Sequence, residues 1–227
     1  MLIRKDSKYE PKTINDIIWG NAESRLRIED IVSGAEALPY CGKSAILLYG
    51  VFGTGKTTLA NLLPNAIEKG RSNEDLAIEA DFIACQQGFN GPQVMSLIER
   101  VLSKTSFNAS GLHYFVLDEV DNLTKLAQQS LKSALNTNRG IFILTTNNIS
   151  ELDKGLKDRC VLVEMNAAAV SDYLPLAKNL VSDMGVVMSD DDLLPTISAA
   201  KGSLRNLIHN VERLARRSNS KPPNIIF

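Results

Sequence analysis

Residues 50–57 read GVFGTGKT. This stretch matches the pattern G-x-x-x-x-G-K-[ST], in which glycines let successive backbone N–H groups turn toward one anion. Lys56 supplies a positive charge to the outer phosphates of a nucleotide, and Thr57 supplies a hydroxyl for Mg²⁺. An apolar run precedes this loop and a helical pattern follows it, so we predict a phosphate-binding loop between a strand and a helix. The predicted contacts are Gly53, Thr54, Gly55, Lys56, Thr57 and Thr58.

Outward from the loop, short apolar runs alternate with helical patterns. The predicted strands are 45–49, 76–80, 114–117, 141–145 and 161–163. The predicted helices among them are 56–63, 92–102 and 126–135. Pro64 should interrupt the first of these helices, and the last should bury Leu126, Leu131 and Leu135 on one side. This alternation predicts an α/β fold, a doubly wound parallel sheet with helices on both faces.

The strand signals stop near Asn166, and three helical patterns follow at 171–184, 190–200 and 204–217. We therefore predict a sheet domain over 1–165 and a small helical domain over 166–217. Residues 218–227 contain two prolines and polar side chains, and they are predicted to form an extended tail.

Composition excludes several classes of protein. The chain has 227 residues, 44% of them hydrophobic and 22% charged, which is enough apolar content for a folded core. Its net charge of −1 argues against a protein that coats nucleic acid with its whole surface. The three cysteines form no CxxC pair, so we expect no structural zinc. With no apolar run long enough for a membrane span and a charged N-terminus, the expected location is the cytoplasm, away from membranes.

Two carboxylates close one predicted strand, at Asp118 and Glu119. Asp118 can hold Mg²⁺ through water, and Glu119 can polarise the water that attacks a γ-phosphate. Many strands end in acids, and a solvated acidic turn is the alternative interpretation. The phosphate loop favours the functional one, because parallel strands gather their carboxyl ends at one edge of the sheet.

Together these residues resemble the AAA+ ATPases, and in particular the clamp-loader ATPase subunits of DNA replication. The resemblance covers roughly residues 8–215. Residues 8–18 are similar to the family segment that packs near the adenine, and 118–124 to its D-E-x-D-x-hydrophobic-T block. The other similar stretches are 127–131 (A-Q-Q-A-L), 145–148 (sensor 1), 158–160 (S-R-C) and 202–205 (sensor 2).

The resemblance implies a P-loop NTPase fold with a helical lid, and ATP and Mg²⁺ as cofactors. It places Tyr9, Pro11, Ile17 and Ile18 against the base of the nucleotide. Asn147 would orient water or touch the γ-phosphate, Arg159 would reach a neighbouring subunit's ATP as an arginine finger, and Arg205 would bridge the lid to the phosphates. From the residues alone, Asn147 is a loop residue, Arg159 forms a surface salt bridge, and Arg205 is one basic residue among several.

The chain also departs from the family pattern. Glu10 stands where the family has Arg, and Ser203 replaces an Asp. In the block 84–91, which aligns with the family's DNA-tracking surface, Gln86 and Gln87 replace charged residues, and this weakens the inference of DNA binding. We also expect the chain to lack the collar domain that follows the lid in clamp-loader subunits.

Basic residues collect elsewhere. The basic positions between 201 and 221 are Lys201, Arg205, Arg213, Arg216, Arg217 and Lys221, against the single acid Glu212. Such a run is either a solvated helix face or a contact for phosphates or an acidic partner. Lys125 and Lys132 are a second candidate set facing DNA.

The leading hypothesis is a clamp-loader-type ATPase that binds and hydrolyses ATP at inter-subunit sites. The implied partners are other ATPase subunits in a homo- or hetero-oligomer, a sliding clamp or another replication protein, and DNA. One alternative is a helicase-loading, transposition or other partner-remodelling ATPase. The other is a nucleotide-gated binding module with little hydrolysis, against which the two carboxylates Asp118 and Glu119 argue.

Overall fold

A five-stranded parallel sheet lies at the centre of the computed structural model, which describes residues 6–72, 78–85, 87 and 90–219. Its strands are β1 (Ala45–Tyr49), β2 (Ala80–Ala84), β3 (His113–Asp118), β4 (Gly140–Thr146) and β5 (Cys160–Glu164). Their order is β2-β3-β4-β1-β5, and every neighbouring pair is parallel. The phosphate loop follows β1, which lies between β4 and β5 in the sheet. The loop is therefore at the side of the sheet where the parallel strands have their carboxyl ends, including those of β3 and β4.

Helices cover both faces of this sheet. The helices of the described residues are α1 (Asp6–Tyr9), α2 (Ala22–Ser33), α3 (Lys56–Ser72), α4 (Gly91–Leu102), α5 (Lys125–Ala134), α6 (Lys154–Asp158), α7 (Leu174–Asp183), α8 (Asp190–Ala199) and α9 (Leu204–Asn219), of which α2 to α6 pack on the sheet. Strand β1 shows why two layers are needed, because its side chains alternate between them. Leu47 packs in one apolar cluster with α4 and α5, while Ile46 and Leu48 pack in the other with α2 and α3. The predicted doubly wound α/β class is confirmed.

The last three helices pack around an apolar cluster of their own, which includes Leu180, Leu193 and Leu207. Ser189 caps α8 by accepting a bond from the backbone N–H of Asp192, and three aspartates follow in the first turn. The predicted helix over 171–184 is shorter in the structure. Val170–Tyr173 forms a 3-10 turn, and α7 begins at Leu174.

Two predicted boundaries are wrong. Pro64 does not end the helix after the phosphate loop, since α3 continues from Lys56 to Ser72 with Pro64 inside it. The apolar face of Leu59, Leu63 and Ile67 is fully buried, and this packing outweighs the loss of one backbone bond at proline. The strand predicted at 76–80 begins only at Ala80, while residues 73–77 lie outside the described part of the chain.

Two further expectations fail in detail. Leu126 is 66% exposed, whereas Leu131 and Leu135 are buried as predicted. Leu126 lies in the first turn of α5, where the helix meets the start of α4 at Gly91 rather than the core. The last helix runs to Asn219, beyond the predicted start of the extended tail, and residues 220–227 lie outside the described residues.

No helix in the described ranges is long and apolar enough to cross a membrane.

A buried carboxylate joins α3 to the sheet. Glu68 is only 3% exposed, and its two oxygens accept bonds from the Ser110 backbone N–H at 2.6 Å, the Ser110 hydroxyl at 2.6 Å and the Tyr114 hydroxyl at 2.7 Å. Burial by itself would raise the pKa of Glu68, but these hydrogen bonds outweigh it and lower that pKa. The ionised carboxylate therefore stabilises the folded state.

Replacing Glu68 with glutamine is expected to lower the free energy of unfolding at pH 7 by about 1–3 kcal/mol, because an amide offers one acceptor oxygen where the carboxylate offers two. Since the folded pKa lies below the unfolded one, the contribution is present above the unfolded pKa and lost as pH falls through the folded value. Urea unfolding of both proteins at pH 7 and near pH 4 measures this. A gap that widens on acidification would contradict the assignment.

Candidate functional site

The phosphate loop holds its lysine in a buried position. Lys56 is 6% exposed, and its Nζ donates to the carbonyl oxygens of Gly50 at 3.0 Å and Val51 at 2.7 Å. Burial lowers the pKa of the ammonium, while the nearby carboxylates Asp121, Asp118 and Glu119 act in the opposite direction. The loop thus encloses a desolvated positive charge at the first turn of α3, where helix N–H groups also favour an anion.

The start of α9 closes over the phosphate loop. The Leu204 backbone N–H donates to the Gly53 carbonyl oxygen at 2.9 Å. Gly53 has φ +81°, and a Cβ at this position would collide with the side chain of Ser203. Only glycine combines this backbone angle with so close an approach. The sequence segment that resembles sensor 2 is therefore in direct contact with the segment that binds phosphate.

Three oxygens converge where β3 and β4 end. The hydroxyls of Thr57 and Thr145 both donate to Asp118 Oδ1, at 2.9 and 2.5 Å. Thr145 is 1% exposed, and its hydroxyl also accepts a bond from the Glu119 backbone N–H at 2.9 Å. The prediction that Thr57 and Asp118 share one site is consistent with this geometry. Thr145, by contrast, is missed by sequence reasoning, although it lies in the stretch that resembles sensor 1.

Glu119 has an unusual backbone conformation. Its φ of +57° lies in the left-handed region, which is uncommon for residues other than glycine and costs free energy. The bond from its N–H to Thr145 holds this conformation, and the carboxylate accepts a bond from Asn122 Nδ2 at 3.1 Å. The strained turn brings the exposed carboxylate of Glu119 to the phosphate cavity.

A continuous cleft runs between the sheet and the terminal helices. Its phosphate end is a cavity of about 230 Å³, and its other end is a larger cavity of about 620 Å³. The two share four lining residues, which are Gly55, Thr58, Leu204 and Arg205. The larger cavity has the size and the mixed lining typical of small-molecule sites.

The phosphate end brings together most of the predicted catalytic side chains. It is lined by Gly53, Gly55, Lys56, Thr57, Thr58, Asp118, Glu119, Asn147 and Arg205. Arg205 extends from the first turn of α9 and borders both parts of the cleft. Because it lines the same cavity as Lys56, its position allows contact with a bound triphosphate.

The larger cavity is lined by the predicted base contacts Tyr9, Pro11, Ile17 and Ile18, and also by Thr54. The helical region adds six residues that sequence reasoning missed, namely Leu176, Asn179, Leu204, Ile208, His209 and Glu212. The last three follow Arg205 at helical spacing on α9, so the periodicity of that helix was the available signal. An apolar slot edged with polar groups suits a nucleotide base and its sugar.

Arg159 lies apart from this cleft. It precedes β5, and its carbonyl accepts the N–H of Ser44, just before β1, so it sits at the edge where the strands begin. A five-residue parallel strand is about 15 Å long, which separates Arg159 from the phosphate loop at the other edge. Its guanidinium donates to Asn136 Oδ1 and to the Gly155 carbonyl, both at 2.9 Å. Arg159 therefore cannot complete the phosphate site of its own chain.

The described residues contain no group of three or more His, Cys, Asp and Glu side chains that could hold a metal ion. The oxygens of Thr57 and Asp118 nevertheless fit Mg²⁺ beside a nucleotide, because that ion takes few protein ligands and completes its shell with phosphate and water. Their hydrogen bond places a hydroxyl and a carboxylate at one point of the phosphate end.

Three of the candidate DNA contacts, Lys125, Lys132 and Arg216, have partners within the chain. Lys125 Nζ donates to the Glu151 carbonyl oxygen, and Lys132 Nζ lies 3.8 Å from Asp153 Oδ1. Arg216 pairs with Glu212 at 2.8 Å. In the block 84–91, Gln86 lies outside the described residues, as does Lys221 of the terminal basic run.

A family model described as "ATPase family associated with various cellular activities (AAA)" matches residues 46–166. The chain belongs to this AAA ATPase family. The matched region of this AAA chain runs from β1 past the end of β5, so it contains the phosphate loop, Asp118, Glu119, Asn147 and Arg159.

Relatives of this AAA chain agree with the predicted resemblance, which is confirmed. Replication factor C subunit 4 of Saccharomyces cerevisiae is 27% identical over 208 residues, covering 90% of this chain and 61% of the relative. Replication factor C subunit 5 of Homo sapiens is 24% identical, covering 89% of this chain and 57% of the relative. The chain thus spans about 60% of the length of these relatives.

Solved structures confirm the fold. The Thermotoga maritima RuvB Holliday junction branch migration motor superposes with a TM-score of 0.62 at 18% identity, over 93% of this chain and 65% of that one. At this sequence identity, the superposition shows that the two proteins share a fold and shows nothing about a shared function.

Proposed function

We propose that this AAA chain binds ATP with Mg²⁺ in the cleft and hydrolyses it at a site that Arg159 of a neighbouring subunit completes. One observation carries the proposal. The phosphate end gathers Lys56, Glu119 and Asn147, yet Arg159 lies at the opposite edge of the sheet. If Arg159 takes part in hydrolysis, as the resemblance to clamp-loader subunits implies, it can reach the phosphate site only of a second subunit.

The chemistry follows from the positions of the side chains. Lys56 and the loop N–H groups bind the β- and γ-phosphates, and Arg205 holds them from α9. Glu119 accepts a bond from the attacking water and polarises it, while Asn147 orients that water or the γ-phosphate. When bound at Thr57 and Asp118, Mg²⁺ supplies positive charge that offsets the charge on the phosphates. Catalysis is then mainly positioning and charge stabilisation.

The finer proposal is a clamp-loader-type ATPase of DNA replication, which acts with other ATPase subunits and engages a sliding clamp or another replication protein on DNA. It is supported by the relatedness to replication factor C subunits. We also propose a boundary between the ATPase domain and the helical lid near Asn166, where the sheet ends and the third apolar cluster begins. A nucleotide bound between the two domains would link the position of the lid to whether ATP or ADP is present.

Lys56→Ala tests whether the cleft binds ATP. Loss of the buried ammonium should weaken binding of a non-hydrolysable ATP analogue by about 10–100-fold, as expected for a charge-assisted contact made at close range. Calorimetric titration measures the affinity, and phosphate release measures turnover across chain concentrations. The matched control is Lys69→Ala, a lysine of the same helix that lies on its exposed side.

Wild-type turnover per chain should rise with concentration, because the proposed site forms only between subunits. If the wild-type chain releases phosphate no faster than Lys56→Ala at any chain concentration, the proposed ATPase activity is refuted.

A further inference from the structure

Residues 8–18, here called the N-terminal strap, contact both halves of the molecule. Ile17 is 7% exposed and packs in the apolar cluster between the sheet and α2–α3. The next residue, Ile18, packs against the cluster formed by α7, α8 and α9, as does Tyr9. Because Tyr9, Glu10, Pro11, Ile17 and Ile18 also line the larger cavity, the strap forms one wall of the base end of the cleft.

One side chain of the helical region binds the first two residues of this strap. The ammonium of Lys8 and the hydroxyl of Tyr9 both donate to the same atom, Oδ2 of Asp183. Asp183 is the last residue of α7. The nearby carboxylate of Glu212 is engaged by Arg216 at 2.8 Å, so Asp183 is the acidic partner of the strap.

The packing of Tyr9 against the helical cluster is incomplete, although its hydroxyl also lies 3.5 Å from the Asn179 carbonyl oxygen. A cavity of about 190 Å³ separates the strap from α7, lined by Lys8, Tyr9, Leu180, Asp183, Met184 and Glu212. A wall with open space behind it depends on the few contacts that span the gap. Asp183 itself lines neither part of the nucleotide cleft, so its effect on a ligand must pass through the strap.

We infer that Asp183 is a positioning residue for the base and sugar of the nucleotide, acting by holding Tyr9 and the adjoining Glu10 and Pro11 against the base end of the cleft. The inference rests on the proposed function and deepens it. Different residues line the two ends of the cleft, because the strap lines the base end alone while Lys56 and Asp118 line the phosphate end. A loss of Asp183 should therefore affect the base and sugar and leave the phosphates unaffected.

Two probes of different length distinguish these ends. A non-hydrolysable ATP analogue fills the whole cleft, whereas inorganic tripolyphosphate carries the phosphates without base or sugar. In Asp183→Ala, the dissociation constant of the analogue should rise by about 5–10-fold, the effect of losing one or two charge-assisted hydrogen bonds at a half-exposed site. That of tripolyphosphate should change by less than about twofold, since its contacts are unaltered.

The matched control is Asp190→Ala, which removes the other lysine–aspartate pair of the helical region, Lys178 to Asp190 at 2.6 Å. This pair is similarly exposed and does not touch the strap. The inference is overturned if Asp183→Ala weakens the analogue no more than Asp190→Ala does. It is also overturned if both ligands weaken equally, because that result means a general disturbance of the lid.

Tyr9→Phe supplies an independent test, since it removes the hydroxyl that donates to Asp183 Oδ2 and keeps the ring. The same hydroxyl also lies 3.5 Å from the Asn179 carbonyl oxygen, a distance too long for a strong hydrogen bond. The Tyr9→Phe/Asp183→Ala double variant should therefore bind the analogue no more weakly than Asp183→Ala alone, because the bond between Tyr9 and Asp183 is already lost in the single variant. Additive losses would overturn the inference. If the wild-type chain binds neither probe, the proposed function itself fails; if it binds both and Asp183→Ala is silent, only this inference fails.

Discussion

Glu119→Gln is expected to bind ATP with unchanged affinity while its turnover falls by about 10²–10⁴-fold, the range typical of removing a general base. The amide keeps the shape of the side chain and can still accept the bond from Asn122 Nδ2, so the left-handed turn at Glu119 should persist. The amide cannot draw a proton from the attacking water. Phosphate release at saturating ATP, with titration of an ATP analogue, separates the two effects.

Glu151→Gln is the matched control for this variant. Glu151 also accepts a bond from an asparagine amide, that of Asn148 at 2.9 Å, but it does not line the phosphate cavity. Its turnover should equal that of the wild type. A Glu119→Gln chain that hydrolyses ATP at the wild-type rate would remove Glu119 from the reaction, and equal losses in both variants would show an effect of charge at a distance.

If Arg159 is an arginine finger, as proposed, Arg159→Ala is expected to reduce turnover by about 10³-fold or more without changing the affinity of an isolated chain for ATP. The reason is its position, because the guanidinium lies at the edge where the strands begin and can stabilise transition-state charge only in another subunit. The control is Arg139→Ala, which alters an arginine at the same edge that donates to the Lys104 carbonyl at 2.9 Å.

Mixing two inactive variants tests whether the site is shared. If subunits of this chain assemble with each other, Arg159→Ala keeps an intact Glu119, and Glu119→Gln keeps an intact Arg159. Some interfaces in the mixture then contain both groups, and turnover should reappear above the sum of the two separate proteins. Unchanged turnover in Arg159→Ala alone would contradict the shared site.

Much of the nucleotide cleft was predictable because its parts are local in sequence. The loop over 50–57 needs only glycines at set positions, a lysine and a threonine between a buried strand and a helix. The carboxyl ends of parallel strands meet at one edge, so Asp118 and Glu119 could be placed beside that loop from the apolar pattern that precedes them. The doubly wound class was also predictable, because each strand or helix in the alternation has its own local pattern of apolar residues.

The errors came from packing, which a local pattern does not report. Pro64 is a strong signal for a helix end, yet the buried face of α3 on both sides of it keeps the helix intact. Leu126 has the spacing of a core residue but lies in the first turn of α5, facing outward. Thr145 was passed over because an isolated threonine at a strand end has no distinctive pattern until register places it against Asp118.

The phosphate loop and the class of fold could be read from residue order alone, since the loop motif and each strand or helix pattern involve residues within a few positions of each other. The folded structure was needed to show that Arg159 lies where the strands begin, that α9 contributes a row of side chains to the base end, and that Asp183 contacts Tyr9. Those relationships join positions far apart in the chain. They are set by strand order and helix packing, which short-range patterns of residue type do not encode.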